Sequence, residues 1–161
     1  MKELSEIEID ALTEIINIGV GKAASSLHDI IGTHIVLKVP RIELFPLEKL
    51  PEVVSRLDQK SVSSVLQSFQ GDFTGSAALI FPPESAVRLV SALTGDEIAS
   101  PSLDSVRGGT LMEIGNIVIN SILGTMGNIL ECNLNFSLPE YRDINKIVDL
   151  IAPPTIEGAP G

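Results

Sequence analysis

A polar signature occurs twice in this chain at one fixed displacement, and that duplication restricts the fold more than any other feature. Glu14-x-x-Asn17 is followed after 22 residues by Pro40, and Glu113-x-x-Asn116 is followed after 22 residues by Pro139, so each marker recurs 99 positions later. Residues between the markers agree in character: Ile18 with Ile117, Leu27 with Met126, Ile35 with Leu134 and Leu37 with Phe136. A unit that returns at constant spacing is one supersecondary structure used twice. A helix-then-strand unit related to its copy by a pseudo-twofold axis is therefore expected.

Local signals give the units their boundaries. Ser5-Glu6-Ile7-Glu8 has the spacing of a capping box, and apolar or small residues then recur at Ile9, Leu12, Ile16, Val20, Ala23, Leu27 and Ile30 before Gly32. This predicts a helix over about residues 5–31. A strand is expected over 33–39, ending at Pro40, and then a short helix from Pro46 to about Leu57. Two strands follow, about 61–69 and 72–81, with Gln70-Gly71 as a tight hairpin turn. Pro82-Pro83-Glu84-Ser85 opens a helix that stops at Gly95; a second long helix covers about 102–130, and a strand at about 133–138 ends at Pro139.

The repeats are of unequal length. The first runs over about residues 5–95 and the second over about 102–151, with 152–161 as a linker-like tail, all within a single domain of 161 residues. After Pro40 the chain continues for 55 residues, Arg41 to Gly95, whereas 22 follow Pro139, so the second half is expected to lack the hairpin of the first. Either the chain is a piece of a longer protein, or it is a reduced form whose sheet edge is covered by a partner or a second copy in a homodimer.

Composition narrows the function. Eleven basic against 21 acidic residues give a formal charge of −10, which argues against a phosphate backbone or an anionic membrane surface as target. Aromatics are 4% with no tryptophan, so base-stacking platforms are poorly supplied. No apolar run is long enough for a membrane span, and no secretory signal is present at Met1-Lys2-Glu3. Cys132 is the single cysteine, and with only His28 and His34 beside it neither a disulfide nor a soft-ligand zinc site is expected. A cytoplasmic location follows.

On a helical wheel with Glu14 at the origin, Asn17 falls at about 300°, Asp10 at about 320° and Gly21 at about 340°, away from the apolar stripe near 160–220°. Glu14 and Asn17 thus share an outward face one turn apart. Ile7 and Ile18 lie beside them; in the second copy Val106, Ile117 and Asn120 replace Ile7, Ile18 and Gly21. An exposed Glu or Asn is ordinarily a solvated residue. Asparagine in mid-helix is unfavourable, however, and here it recurs at both sites. No serine is paired with a histidine as a nucleophile would be. Gly19-Val20-Gly21 sits inside a helical pattern with no strand before it, unlike a dinucleotide loop. An amide can accept from a water proton while donating to a phosphoryl oxygen, and so hold a water in line with phosphorus. Phosphoryl transfer depends on such positioning and on electrostatics. A convex helix cannot enclose a small molecule, so the substrate should be a protein that brings its own metal and phosphate.

These residues resemble those of the CheC, CheX and FliY family of chemotaxis phosphatases, whose pattern is Asp or Ser, three residues, Glu, two residues, Asn, 22 residues, Pro. Asp10, Glu14, Asn17 and Pro40 match it fully; Glu113, Asn116 and Pro139 match with Gly109 in place of the first Asp or Ser. Gly71-x-Phe73-x-Gly75 leading to Phe81-Pro82 adds to the likeness, which extends over about residues 4–140. The elements and the resemblance together imply an α+β fold, a pseudo-twofold repeat with two long helices packed beside an antiparallel-rich β-sheet. The resemblance further implies hydrolysis of the aspartyl phosphate of a phosphorylated CheY-type receiver domain. Asn17 and Asn116 would orient the water and Glu14 and Glu113 pair with the receiver's lysine, while Asp10, Ile18, Gly21, Ile117 and Asn120 contact the partner. The two motifs are more CheC-like than CheX-like. No cofactor is expected on this chain, magnesium being carried by the regulator. CheD is a further partner known for such proteins, and the alternative function is a non-catalytic CheC-like or flagellar-switch scaffold that binds CheY or CheD.

Overall fold

The computed structural model describes residues 3–32, 36–37, 41–56, 62–95 and 104–144. In chain order the elements are α1 (Glu6–Ile31), a single 3-10 turn at Leu47–Lys49 that runs into α2 (Leu50–Ser55), β1 (Val62–Gly71), β2 (Gly75–Phe81), α3 (Pro83–Thr94), α4 (Asp104–Ile129), β3 (Leu134–Phe136) and β4 (Glu140–Ile144). The fold is α+β, as expected. The strand anticipated over 33–39 and the tail over 152–161 lie outside the described residues, apart from Val36 and Leu37, which are not in a strand.

Helix α1 starts where the capping box places it. The Ser5 backbone N–H donates to Glu8 Oε2 at 2.7 Å, and the Glu8 N–H donates back to Ser5 Oγ at 3.3 Å. Gly32, at φ 72°, closes the helix by donating its N–H to the His28 carbonyl, in the left-handed conformation that glycine adopts without a Cβ penalty. Helix α3 begins with Pro83 in its first turn and ends at Gly95 in the same way.

β1 is the central strand. β2 pairs with one side of it, antiparallel, from Ser63↔Phe81 to Phe69↔Gly75. β3 and β4 share the other side, also antiparallel, through Phe69↔Phe136 to Gly71↔Leu134 and through Val62↔Ile144 to Leu66↔Glu140. Between these two stretches Gln67 and Ser68 face the three residues Ser137, Leu138 and Pro139, so one extra residue makes a bulge, the usual way for a proline to be carried at a strand. Ser137 secures it: its Oγ accepts from the Ser68 N–H at 3.0 Å and its carbonyl from Gln67 Nε2 at 2.8 Å.

Two expectations are corrected here. The β1–β2 turn does not fall at Gln70-Gly71, because both residues are still paired with β3; it lies at Asp72–Thr74. Gly71 has φ 151°, and a Cβ there would overlap the Asn133 carbonyl oxygen. Close approach to a neighbouring strand, and not chain reversal, is what requires glycine. The strand expected at about 133–138 is also not the last one: β4 follows Pro139 at once and pairs along the first half of β1.

The core lies where α4 meets β1, β2, α1 and α3, with Ala23, Leu27, Val65, Phe81, Ala86, Val90, Leu111, Ile114, Val118 and Ile119 buried in one cluster. α4 touches both the sheet and α1, which explains why its sequence is apolar round much of its circumference. Two glycines permit the close contacts: a Cβ on Gly19 would come within 2.7 Å of Ile122 Cα, and one on Gly115 within 2.5 Å of Val65 Cβ. At the start of α4, Arg107 Nη2 donates to Ser63 Oγ at 3.0 Å, and the Tyr141 hydroxyl, 3.1 Å from that oxygen, donates to Asp143 Oδ1 at 2.7 Å. This ties α4, β1 and β4 together.

Candidate functional site

The first motif occupies the middle of α1. The buried residues of that helix, Gly19, Val20, Ala23 and Leu27, face α4, which turns Asp10, Glu14, Asn17 and Gly21 outward, all exposed. Ile7 is 80% and Ile18 40% exposed. A polar pair framed by apolar side chains in solvent is the composition of a protein-binding surface. Among the described residues Glu14 carries no ion pair and Asn17 no side-chain hydrogen bond.

The second motif sits on α4 and is more enclosed. Glu113 and Gly109 are exposed, but Asn116, Ile117 and Asn120 are half-buried. Ile117 packs against the core, unlike its exposed counterpart Ile18, because α4 has neighbours on more of its surface than α1. Asn120 Nδ2 donates to Asn116 Oδ1 at 2.7 Å. The i, i+4 spacing of two amides was the available signal for that bond. Val106, the counterpart of Ile7, lies where side chains are not described.

Sequence reasoning did not anticipate the groove beside Glu113. Leu27 and Ile30 of α1, Leu93 of α3, and Gly109, Ile114 and Ile117 of α4 line a cleft of about 390 Å³ that is almost wholly apolar. Ile30, expected in the buried stripe, is 55% exposed because it stands at this cleft and not in the core. Gly109, the one departure from the motif, has open space where a Cβ would be, so its missing side chain widens the mouth next to Glu113.

Among the described residues no three of His, Cys, Asp and Glu converge as metal ligands, and no helix is long and apolar enough to cross a membrane. The geometry offers two exposed carboxylates, each one turn from an amide. Such a pair can take up a cation and hydrogen-bond an oxyanion at the surface of another macromolecule.

Comparison with known proteins gives the family of the chain. The family model of the CheC-like family matches residues 7–44, and that of chemotaxis phosphatase CheX matches residues 63–148. The chain belongs to the CheC/CheX/FliY family of chemotaxis phosphatases. It is 29% identical over 140 residues to CheY-P phosphatase CheC of Bacillus subtilis (strain 168), aligning 85% of this chain with 66% of that protein. To flagellar motor switch phosphatase FliY of the same organism it is 23% identical over 142 residues, 87% of this chain against 36% of that one. The chain thus spans less than two thirds of the length of these relatives. In fold it resembles Thermotoga maritima FliY, with a TM-score of 0.76 at 20% identity over 99% of this chain and 79% of that one. It also resembles CheX from Desulfovibrio desulfuricans, with a TM-score of 0.56 at 15% identity over 81% of each chain.

Proposed function

We propose that the protein is a phosphatase of a phosphorylated CheY-type response regulator, acting in the cytoplasm through Glu14 with Asn17 and Glu113 with Asn116. The observation that carries this is the recurrence of an exposed or half-exposed Glu and Asn, one turn apart, at equivalent positions of two long helices. Membership of the family and the likeness to a CheY-P phosphatase support the choice of substrate.

The chemistry is hydrolysis of an acyl phosphate. The oxygen of one water forms a bond to phosphorus as the bond from phosphorus to the aspartyl oxygen breaks. The leaving group departs as the aspartate carboxylate, and the water's protons remain on the released dihydrogen phosphate. The amide oxygen of Asn17 or Asn116 accepts a hydrogen bond from that water while the amide N–H donates to a phosphoryl oxygen, which fixes the line of attack. A hundredfold acceleration asks about 2.7 kcal/mol of this positioning. Glu14 and Glu113 pair with a lysine of the regulator and set the register of docking. Magnesium belongs to the regulator in this scheme, and this chain supplies no ligand to it.

Turnover distinguishes catalysis from scaffolding. With the protein at one tenth of the concentration of phosphorylated regulator, the whole phosphorylated pool should decay faster than it does alone. Stoichiometric binding without acceleration would instead identify a non-catalytic scaffold.

A further inference from the structure

The two motif copies differ in what stands one turn beyond the asparagine. In the first copy it is Gly21, exposed and with nothing within 4 Å of where a Cβ would be. In the second it is Asn120, half-buried, whose Nδ2 donates to Asn116 Oδ1 at 2.7 Å. Among the described residues the Asn120 Oδ1 is itself buried without a partner, an arrangement that costs stability. Core packing does not call for an amide here.

We propose that Asn120 is a positioning residue that fixes the amide of Asn116 before substrate arrives, making the second copy a pre-set site and the first a loose one. The proposal rests on the phosphatase function above. A side-chain amide has two acceptor lone pairs and two N–H donors. With one lone pair held by Asn120, Asn116 keeps the other for the water and both N–H groups for a phosphoryl oxygen. A hydrogen bond accepted at the oxygen also polarises the amide and strengthens its N–H donors. Asn17 has no such tether and must be ordered during the encounter, which opposes the reaction by the entropy of its rotamers. The effect belongs to the chemical step, and so to kcat more than to KM.

Proteins with one working site separate these effects. In the Asn17→Ala protein, which retains the second site, adding Asn120→Ala should lower kcat about tenfold, the equivalent of about 1.4 kcal/mol, with KM changed less than about twofold. In the Asn116→Ala protein, which retains the first site, Gly21→Asn should raise kcat, a gain that a merely structural role of the amide would not give. Without any regulator, Asn120→Ala should shift the side-chain amide resonances of Asn116, and circular dichroism establishes that each variant is folded. An unaltered kcat in the Asn17→Ala, Asn120→Ala protein, or a loss confined to KM, overturns the positioning role while the phosphatase function stands. A wild-type protein that does not accelerate decay overturns both.

Discussion

Asparagine in mid-helix costs roughly half a kcal/mol relative to alanine, since its side chain competes for backbone hydrogen bonds. Asn17 and Asn116 both accept that cost, and their positions were legible in the sequence because the motif repeats. Their different degrees of exposure were not, because exposure is set by how many neighbours each helix acquires. The capping box at Ser5 and Glu8 was equally legible, being wholly local. Hydrogen bonds from the Ser5 backbone and hydroxyl hold the Glu8 carboxyl below its ordinary value of 4.5. A group whose folded value is depressed contributes stability above its unfolded pKa and loses it as pH falls through the folded one. The first turn of α1 should therefore fray below about pH 4.5 before the core unfolds, seen as faster amide exchange at residues 6–9. Ser5→Ala, which removes the hydroxyl but keeps the backbone N–H, should move the titration of the Glu8 carbon resonance only part of the way back up.

Among the elements, the contact between α1 and α4 and the seat of α4 on β1 position the two motifs relative to the core, and both rest on glycine. Replacing a helical glycine by alanine ordinarily stabilises by about 1 kcal/mol. At Gly19 the added carbon would meet backbone, and at Gly115 the wholly buried Val65, where overpacking costs about 1–3 kcal/mol. Steric cost should prevail, so Gly19→Ala and Gly115→Ala are each expected to lower stability by up to about 2 kcal/mol in urea unfolding. Gly21→Ala, in open space, should not. The helical wheel already put Gly21 on the outward face; that a Cβ on Gly19 would meet the backbone of α4 is set by the tertiary contact alone. The same holds for Ile30, whose periodicity assigned it to the core although it lines the groove. The hairpin turn was misplaced for a related reason: Gly71 signalled a local reversal, but the need for glycine came from Asn133 at the entry to β3, far along the sequence.

For the molecule as a whole, the strand that reasoning from length omitted is the one that completes the sheet. β4 lies along the first half of β1, and Tyr141 joins it to Ser63 and to the neighbourhood of Arg107. Burial, and then the hydrogen bond to Asp143, push the Tyr141 hydroxyl above its ordinary value of 10.0. A raised folded value means that the associated stability is complete below about pH 10 and is lost as pH rises through the folded pKa. Tyr141→Phe should therefore be less stable than the wild type at neutral pH and should flatten the decline above pH 10, as followed by chemical denaturation across that range. The expectation of unequal halves came from counting residues, whereas the pairing of β4 depends on the long-range register of β1, which no local pattern encodes.

The central claim is that two Glu and Asn pairs on two helices hydrolyse one class of acyl phosphate. Its most direct measurement is the rate of phosphate release from an isotopically labelled, phosphorylated CheY-type regulator with the wild type, Asn17→Ala, Asn116→Ala and the double variant. Each single variant should retain part of the acceleration, and the double variant should release phosphate no faster than the regulator alone. A folded double variant that keeps the wild-type rate would contradict the account.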